Sequence, residues 1–237
     1  MHIQDWAYQT DTFNAQGFIA FDDSIKTPQP VVLVAHDWSG CNEFAKQQTQ
    51  RLAALGYVGL AIDLYGEGQI GQSNDQKMKL MQPLLEDRSL IMQRWQAAIT
   101  SLASLPQANT QKIAAIGFCF GGLCALDLAR HTDTIRGVVS FHGLLNPPTT
   151  VTLSSIPARI LVLHGYDDPM VPPEQVNQFA EEMTQAHADW QIHLYGHTQH
   201  AFTNPQANDA TLGTIYNKLM AKRAWLQMEH FLIEIFE

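Results

Sequence analysis

Six short β-rich runs, several of them nearly continuous in apolar residues, punctuate the 237-residue chain: PVVLVAH (30–36), YVGLAIDL (57–64), KIAAIG (112–117), IRGVVSF (135–141), ARILVLHG (158–165) and WQIHLY (190–195). A strand with one wet face alternates apolar and polar residues, whereas a strand covered on both faces does not. The nearly continuous runs therefore read as doubly buried strands, which need helices to cover them. The intervening stretches supply helix candidates over 43–55, 75–104, 121–131, 173–187 and 210–235. In VPPEQVNQFAEEM the prolines stand at the entry, and Val176, Phe179, Ala180 and Met183 recur at helical spacing. The alternation predicts an α/β fold of βαβ units, with a mainly parallel central sheet and helices on both faces. GFIAFDD (17–23) alternates instead and is expected as an antiparallel edge strand.

With 46% hydrophobic residues the chain can build one sizeable core. No repeat, low-complexity tract or linker divides it, and LLNPPTTVTLSSIP (144–157) reads as a surface loop because strands resume beyond it. Residues 1–237 are therefore expected to form one domain. Asp and Glu outnumber Lys and Arg 23 to 14, so a nucleic acid backbone or an anionic membrane surface is repelled on average. No uncharged apolar run approaches the ~20 residues of a membrane span, and MHIQDWAYQTDTFNAQGF lacks a basic stretch followed by an apolar one. A soluble, cytoplasmic protein is the expectation. The cysteines, Cys41, Cys119 and Cys124, form an odd set without metal-ligand spacing, which suits a reducing compartment.

KIAAI leads directly into GFCFGG and then LCALDLAR, which puts Cys119 at the centre of a Gly-x-Cys-x-Gly turn between strand and helix. Such a turn holds its central residue in a strained conformation, and small residues flank it because side chains there would collide with the adjoining strand and helix. The helix beyond turns its positive end toward the sulfur and favours a thiolate. A free cysteine is also often a small buried hydrophobe, so the turn alone leaves two readings. The later chain supplies what a nucleophile needs, in the order acid then histidine. ILVLHGYDDPMVPP carries Asp167 and Asp168 at the end of one strand, and WQIHLYGHTQHAFTNP carries His197 and His200 at the end of the next. A histidine takes the thiol proton, and a carboxylate behind it fixes the tautomer. His36, His142 and His164 also stand at strand ends but form no His-x-His or His-Glu-x-x-His motif. They read as structural histidines, and neither a metal nor a cofactor is expected.

Together, HDWSG, GFCFGG, HGYDDPMVP and HAF resemble the dienelactone hydrolase family of the α/β-hydrolase superfamily, over residues 30–205. The resemblance implies the α/β-hydrolase fold, with Cys119 as nucleophile, Asp168 as acid and His200, two before Phe202, as base. It implies an oxyanion hole from the main-chain N–H groups of Phe120 and Trp38. It also places Asp37 where the family carries a carboxylate, usually glutamate, that touches the resting thiol. In the enzyme that names the family an arginine four residues beyond the catalytic histidine helps bind the substrate carboxylate. Here that position is Asn204, and Arg88 or Arg94 are the candidates for a second arginine. An asparagine offers no bidentate grip on carboxylate, so dienelactone itself is not the expected substrate.

Tyr65, Tyr166, Phe202 and Asn204 are expected to line the substrate pocket, with Trp38, Phe118 and Phe120 nearby; half of these aromatic residues should prove to be core. Tyr65 and Tyr166 stand at carboxyl ends of strands, the edge where open α/β sheets bind ligands. The expected activity is cofactor-free hydrolysis of a small ester or lactone through a thioester on Cys119, by a monomer or weak homodimer. The rival reading keeps the fold without turnover: a ligand-binding or redox-responsive protein with Cys119 as an oxidisable thiol.

Overall fold

The computed structural model describes residues 1–149 and 155–237, so part of the expected surface loop at 144–157 lies outside the described residues. The chain forms two compact units, Met1–Ala115 and Ile116–Glu237.

The first unit opens with the hairpin β1 (His2–Thr10) and β2 (Phe13–Phe21), followed by β3 (Gln29–Ala35), α1 (Glu43–Ala54), β4 (Val58–Ile62), α2 (Asn74–Glu86) and α3 (Ser89–Ser101). β3 and β4 pair in parallel, while β2 lies antiparallel between β1 and β4. The segment expected at the edge is thus antiparallel as anticipated, but β1 covers its free side. Strands β3 and β4 are almost wholly buried, as their unbroken apolar runs demand. Gly59 lets α1 approach closely, because a Cβ there would stand 2.6 Å from the Thr49 carbonyl oxygen. The stretch 75–104, expected as one helix, breaks at Asp87, whose extended backbone ends α2 and whose side chain accepts from the Ser89 N–H at 3.0 Å. A short aspartate that hydrogen-bonds its own backbone competes with helix continuation in this way.

Asp63, fully buried just after β4, gathers the N–H groups of Gln16, Tyr65, Gly66 and Gly68 at 2.9–3.1 Å. This shapes the turn that carries Tyr65. Arg94 lies 3.6 Å above the Phe13 ring and so is engaged in packing.

The chain enters the second unit within β5 (Ala108–Phe118) and continues through α4 (Phe120–His131), β6 (Gly137–Phe141), β7 (Arg159–Gly165), α5 (Pro173–Gln185), β8 (Trp190–Tyr195), the short pair β9 (Asn208–Asp209) and β10 (Thr214–Ile215), and α6 (Lys218–Phe236). β6, β7 and β8 pair in parallel. The fold class is α/β with mainly parallel pairing, as the apolar runs predict. α4 and α6 pack on β6, and α6 also on β7. Phe118, Phe141 and Trp225 meet with centroids 4.7–5.7 Å apart, so Phe118 is core rather than pocket lining. The buried Arg130 joins α4 to α5, donating to both Glu182 oxygens at 2.7 and 2.8 Å, to Asp127 at 3.2 Å and to the Leu145 carbonyl at 3.0 Å. The final helix begins at Lys218 rather than 210, because Asn217 caps it and residues 208–215 form the β9–β10 pair. No helix among the described residues is long and apolar enough to cross a membrane.

Candidate active site

Cys119 occupies a single-residue junction between β5 and α4, with φ 54° and ψ −117°. An L residue rarely adopts this conformation, and strain of this kind costs of order 1–3 kcal/mol. The glycines that permit it are explicit in the packing. A Cβ on Gly117 would collide with the Gly121 carbonyl, and one on Gly122 would stand 2.6 Å from Ser140 Oγ. Cys41 and Cys124 are buried, whereas Cys119 is partly exposed. Burial pushes the Cys41 thiol up to about 12.

The candidate acid and base come from the loops after β7 and β8, which are joined through their main chains. Tyr166 N–H donates to the Tyr195 carbonyl at 2.9 Å and Asp167 N–H to the Thr198 carbonyl at 3.0 Å. Gly165 is required here, since a side chain would strike the Thr198 carbonyl. The β10 segment supports the base from its other side: Ile215 N–H donates to the His200 carbonyl and Asn217 N–H to the Phe202 carbonyl, both at 3.0 Å.

Asp168 and His200 are both buried, and His200 Nδ1–H donates to Asp168 Oδ2 at 2.7 Å. Asp168 Oδ1 accepts from the Met170 N–H at 2.8 Å. Burial by itself would depress His200, but the Cys119 sulfur and Asp168 outweigh it, through charge and hydrogen bonding, and push its pKa up to about 10. Among the described residues Nε2 has no partner in full hydrogen-bond geometry, so the sulfur acts on it without a well-aligned bond. The alternatives, Asp167 and His197, pair with each other at 3.8 Å on the surface, where the His197 ring is fully exposed. An exposed pair of this kind is worth little.

The three structural histidines differ. His36 Nε2 accepts from the Leu64 N–H at 3.2 Å, which leaves Nδ1–H to donate to the Asp37 carbonyl at 2.6 Å. His142 is engaged at both nitrogens, to the Cys119 N–H at 3.2 Å and to Thr203 Oγ1 at 2.8 Å. His164 donates from Nε2 to the Val171 carbonyl at 3.2 Å, but its buried Nδ1 has no hydrogen-bond partner among the described residues. Sequence reasoning passes over His142 and Thr203 as site residues, because a strand-end histidine and a threonine beside HAF carry no motif of their own.

The pocket expectations need correction in part. Phe202 is fully buried against Tyr195 and His142, so it shapes the base loop and offers no surface to a ligand. Asn204 accepts from the Gln206 N–H at 2.9 Å and forms a local turn. Tyr65 donates its hydroxyl to the Trp38 carbonyl at 2.9 Å and meets His36 edge-on, which braces the loop after β3. Asp37 accepts from the Ser39 N–H at 2.8 Å in that same loop. Tyr166 is half exposed and lines a cavity of about 210 Å³ with His164, Val176 and Leu194. A larger cavity, about 680 Å³, lies between β1 and α3, lined by Trp6, Tyr8, Gln93 and Gln96, and contains none of the candidate catalytic groups.

The sequence model of the dienelactone hydrolase family matches residues 16–236. A Yersinia pestis protein named "Putative carboxymethylenebutenolidase" is 28% identical over 222 residues, 89% of this chain and 80% of its own. A solved structure titled m3DLH is 33% identical with a TM-score of 0.94, covering 100% of this chain and 99% of its own. The dienelactone hydrolase-like promiscuous phosphotriesterase P91, from metagenomic libraries, is 32% identical with the same TM-score and coverage. The chain belongs to the dienelactone hydrolase family.

Proposed function

We propose that the protein hydrolyses small carboxylic esters and lactones through a thioester on Cys119, with His200 as base and Asp168 as its orienting acid. The observation that carries this reading is the buried 2.7 Å Asp168–His200 hydrogen bond, beside a cysteine held on a strained strand-to-helix turn. With Nδ1–H committed to Asp168, Nε2 is the nitrogen that takes the thiol proton, and the raised His200 value, in which the Cys119 charge is the largest raising influence, belongs to the imidazolium–thiolate pair that this transfer forms. His200 takes the Cys119 proton, and the thiolate attacks the carbonyl carbon while the π electrons move onto oxygen. The Phe120 N–H stabilises that oxyanion, and the family resemblance adds the Trp38 N–H. Collapse expels the alkoxide, which takes the proton from His200, and leaves the thioester. A water deprotonated by His200 then attacks, and thiolate departure regenerates the enzyme. The family match spans both compact units, which supports reading residues 1–237 as one hydrolase domain.

Carboxymethylenebutenolidase names the Yersinia pestis relative, and lactones therefore belong in any substrate panel. With Asn204 drawn into a local turn, carboxylate-bearing substrates should gain nothing over neutral ones. Asp37 is the proposed regulator of the resting thiol on the family resemblance alone; within its own loop it accepts from the Ser39 N–H.

The test is p-nitrophenyl acetate hydrolysis by wild type, Cys119→Ala and His200→Ala, with mass spectrometry of acid-quenched wild type. Both variants should stay folded and lose most turnover, and the quenched enzyme should carry an acetyl group on Cys119. Retained turnover in Cys119→Ala would remove the nucleophile assignment. A reactive thiol in wild type without turnover on lactones, aryl esters or a phosphate triester would favour the redox-responsive reading.

A further inference from the structure

His142 follows β6 with a positive φ of 40°, and its ring is fully enclosed in the second unit. The partners of the ring fix its tautomer. A main-chain N–H can only donate, so Nδ1, 3.2 Å from the Cys119 N–H, is the unprotonated nitrogen. The ring proton sits on Nε2 and is donated to Thr203 Oγ1 at 2.8 Å. Protonating Nδ1 would set two donors against each other. Burial, with His200 alongside, already holds His142 well below the usual imidazole range.

Each partner belongs to a different part of the candidate active site. Cys119 is the nucleophile itself, and its N–H is shared between His142 and the Phe141 carbonyl at 3.0 Å. Thr203 is buried three residues beyond His200, on the loop that β10 supports. Between them, the His142 ring meets His200 at a centroid distance of 5.3 Å and Phe202 at 5.4 Å, both edge-to-face. The ring is therefore a rigid spacer with the nucleophile turn on one side and the base loop on the other.

Building on the nucleophile and base assigned above, we infer that His142 is a positioning residue: the relay from Cys119 N–H through His142 to Thr203 sets the separation and mutual orientation of Cys119 Sγ and His200 Nε2. Its uncharged ring also spares the His200 imidazolium a like charge. A displacement of about 1 Å between reacting groups is enough to slow a reaction roughly a hundredfold, so the relay has rate-determining leverage without touching substrate.

The experiment uses three variants. Thr203→Val keeps the shape and removes the acceptor, Thr203→Ser returns the hydroxyl, and His142→Asn keeps an oxygen for the Cys119 N–H but does not reach Thr203. For folded protein, kcat on p-nitrophenyl acetate should fall about tenfold to a hundredfold in Thr203→Val and His142→Asn with KM within about twofold, and Thr203→Ser should recover most of the rate. The pH dependence of iodoacetamide alkylation at Cys119, read by peptide mass spectrometry, should shift in the same two variants and return in Thr203→Ser. Wild-type kcat and alkylation profile in both variants would overturn the inference, as would a loss confined to KM or an equal loss in Thr203→Ser. Should His142→Asn fail to fold, the Thr203 pair decides alone. The alkylation profile needs no turnover, so it reads the relay even if Cys119→Ala shows that esters are not cleaved through the thiol.

Discussion

Replacing Asp168 with asparagine leaves the amide no satisfactory orientation, and the consequence for rate can be worked out from two distances. In the native site Oδ2 accepts from His200 Nδ1–H at 2.7 Å and Oδ1 accepts from the Met170 N–H at 2.8 Å, so both neighbours are donors. Asparagine brings one acceptor and one donor. If its carbonyl turns to Met170, its NH₂ faces Nδ1, and the imidazole restores a bond only by carrying its proton on Nε2. That nitrogen then cannot accept the Cys119 proton. If the carbonyl turns to His200, the NH₂ opposes the Met170 N–H in a buried site, an unmade hydrogen bond of about 1–3 kcal/mol.

Either way the carboxylate charge that stabilises the imidazolium is gone. At a charge separation of ~4 Å and an effective permittivity of ~20 this attraction is about 4 kcal/mol, or roughly three decades in rate. The tautomer fault brings the expected loss in kcat to about 10³–10⁴, the scale on which triad hydrolases lose activity when their aspartate becomes asparagine. Steady-state kinetics on p-nitrophenyl acetate, with circular dichroism to confirm folding, measures it. Asp167→Asn is the control, since its partner His197 is fully exposed at 3.8 Å, and should cost less than about twofold. A folded Asp168→Asn enzyme within tenfold of wild type, or equal losses in the two variants, would refute the reasoning.

Acid should destabilise the protein through buried imidazoles. His36, His142 and His164 are all held below the ordinary value, chiefly by burial, so below about pH 6.5 the unfolded chain binds protons that the folded one does not. Unfolding free energy from urea titrations should therefore fall as pH drops below 6.5, approaching about 1.4 kcal/mol per pH unit for each histidine. His200 has the opposite sign: raised to about 10, its stabilisation is fully present below pH 6.5 and is lost as pH rises through about 10. A flat profile from pH 7 to 5 would contradict this. Glu182→Ala removes two charge-assisted hydrogen bonds from a buried guanidinium, and should lower the urea unfolding free energy by about 3 kcal/mol with an unchanged m-value. Cys119→Gly should be more stable than Cys119→Ala by about 1 kcal/mol, because glycine relieves the strain at φ 54° and offsets its own entropic cost. Equal stability would mean that the turn is not strained.

Most of the strands that were legible in the sequence are buried on two faces, because continuous apolar runs such as ILVL have no other common explanation; β8 is the exception, since WQIHLY forms a strand that is mostly half-buried. β1 was not legible for the same reason: it is mostly exposed, and HIQDWAYQT shows no continuous apolar run to mark it. The break between α2 and α3 depends on the Asp87 side chain, which accepts from both the N–H and the hydroxyl of Ser89, a choice that helical periodicity on either side conceals. At the last helix, apolar periodicity told that a helix exists but not where it begins, since residues 208–215 are held by pairing to each other and to the base loop.

At the site, the spacing of the motifs made the candidate residues legible, while the choices between neighbours rest on burial, which spacing does not encode. Asp167 and Asp168 are chemically identical in sequence, yet one side chain faces solvent and the other accepts two hydrogen bonds in the interior. Phe202 shows the converse error: a large aromatic beside a reactive histidine suggests a pocket wall, but its ring is needed to hold that histidine's loop against Tyr195 and His142. His142 was the least legible of all, because its importance lies in having two specific partners 61 and 23 positions away in the chain. Motifs mark the groups that exchange protons and electrons with a substrate, whereas the groups that fix the distance between them are marked only by what they touch.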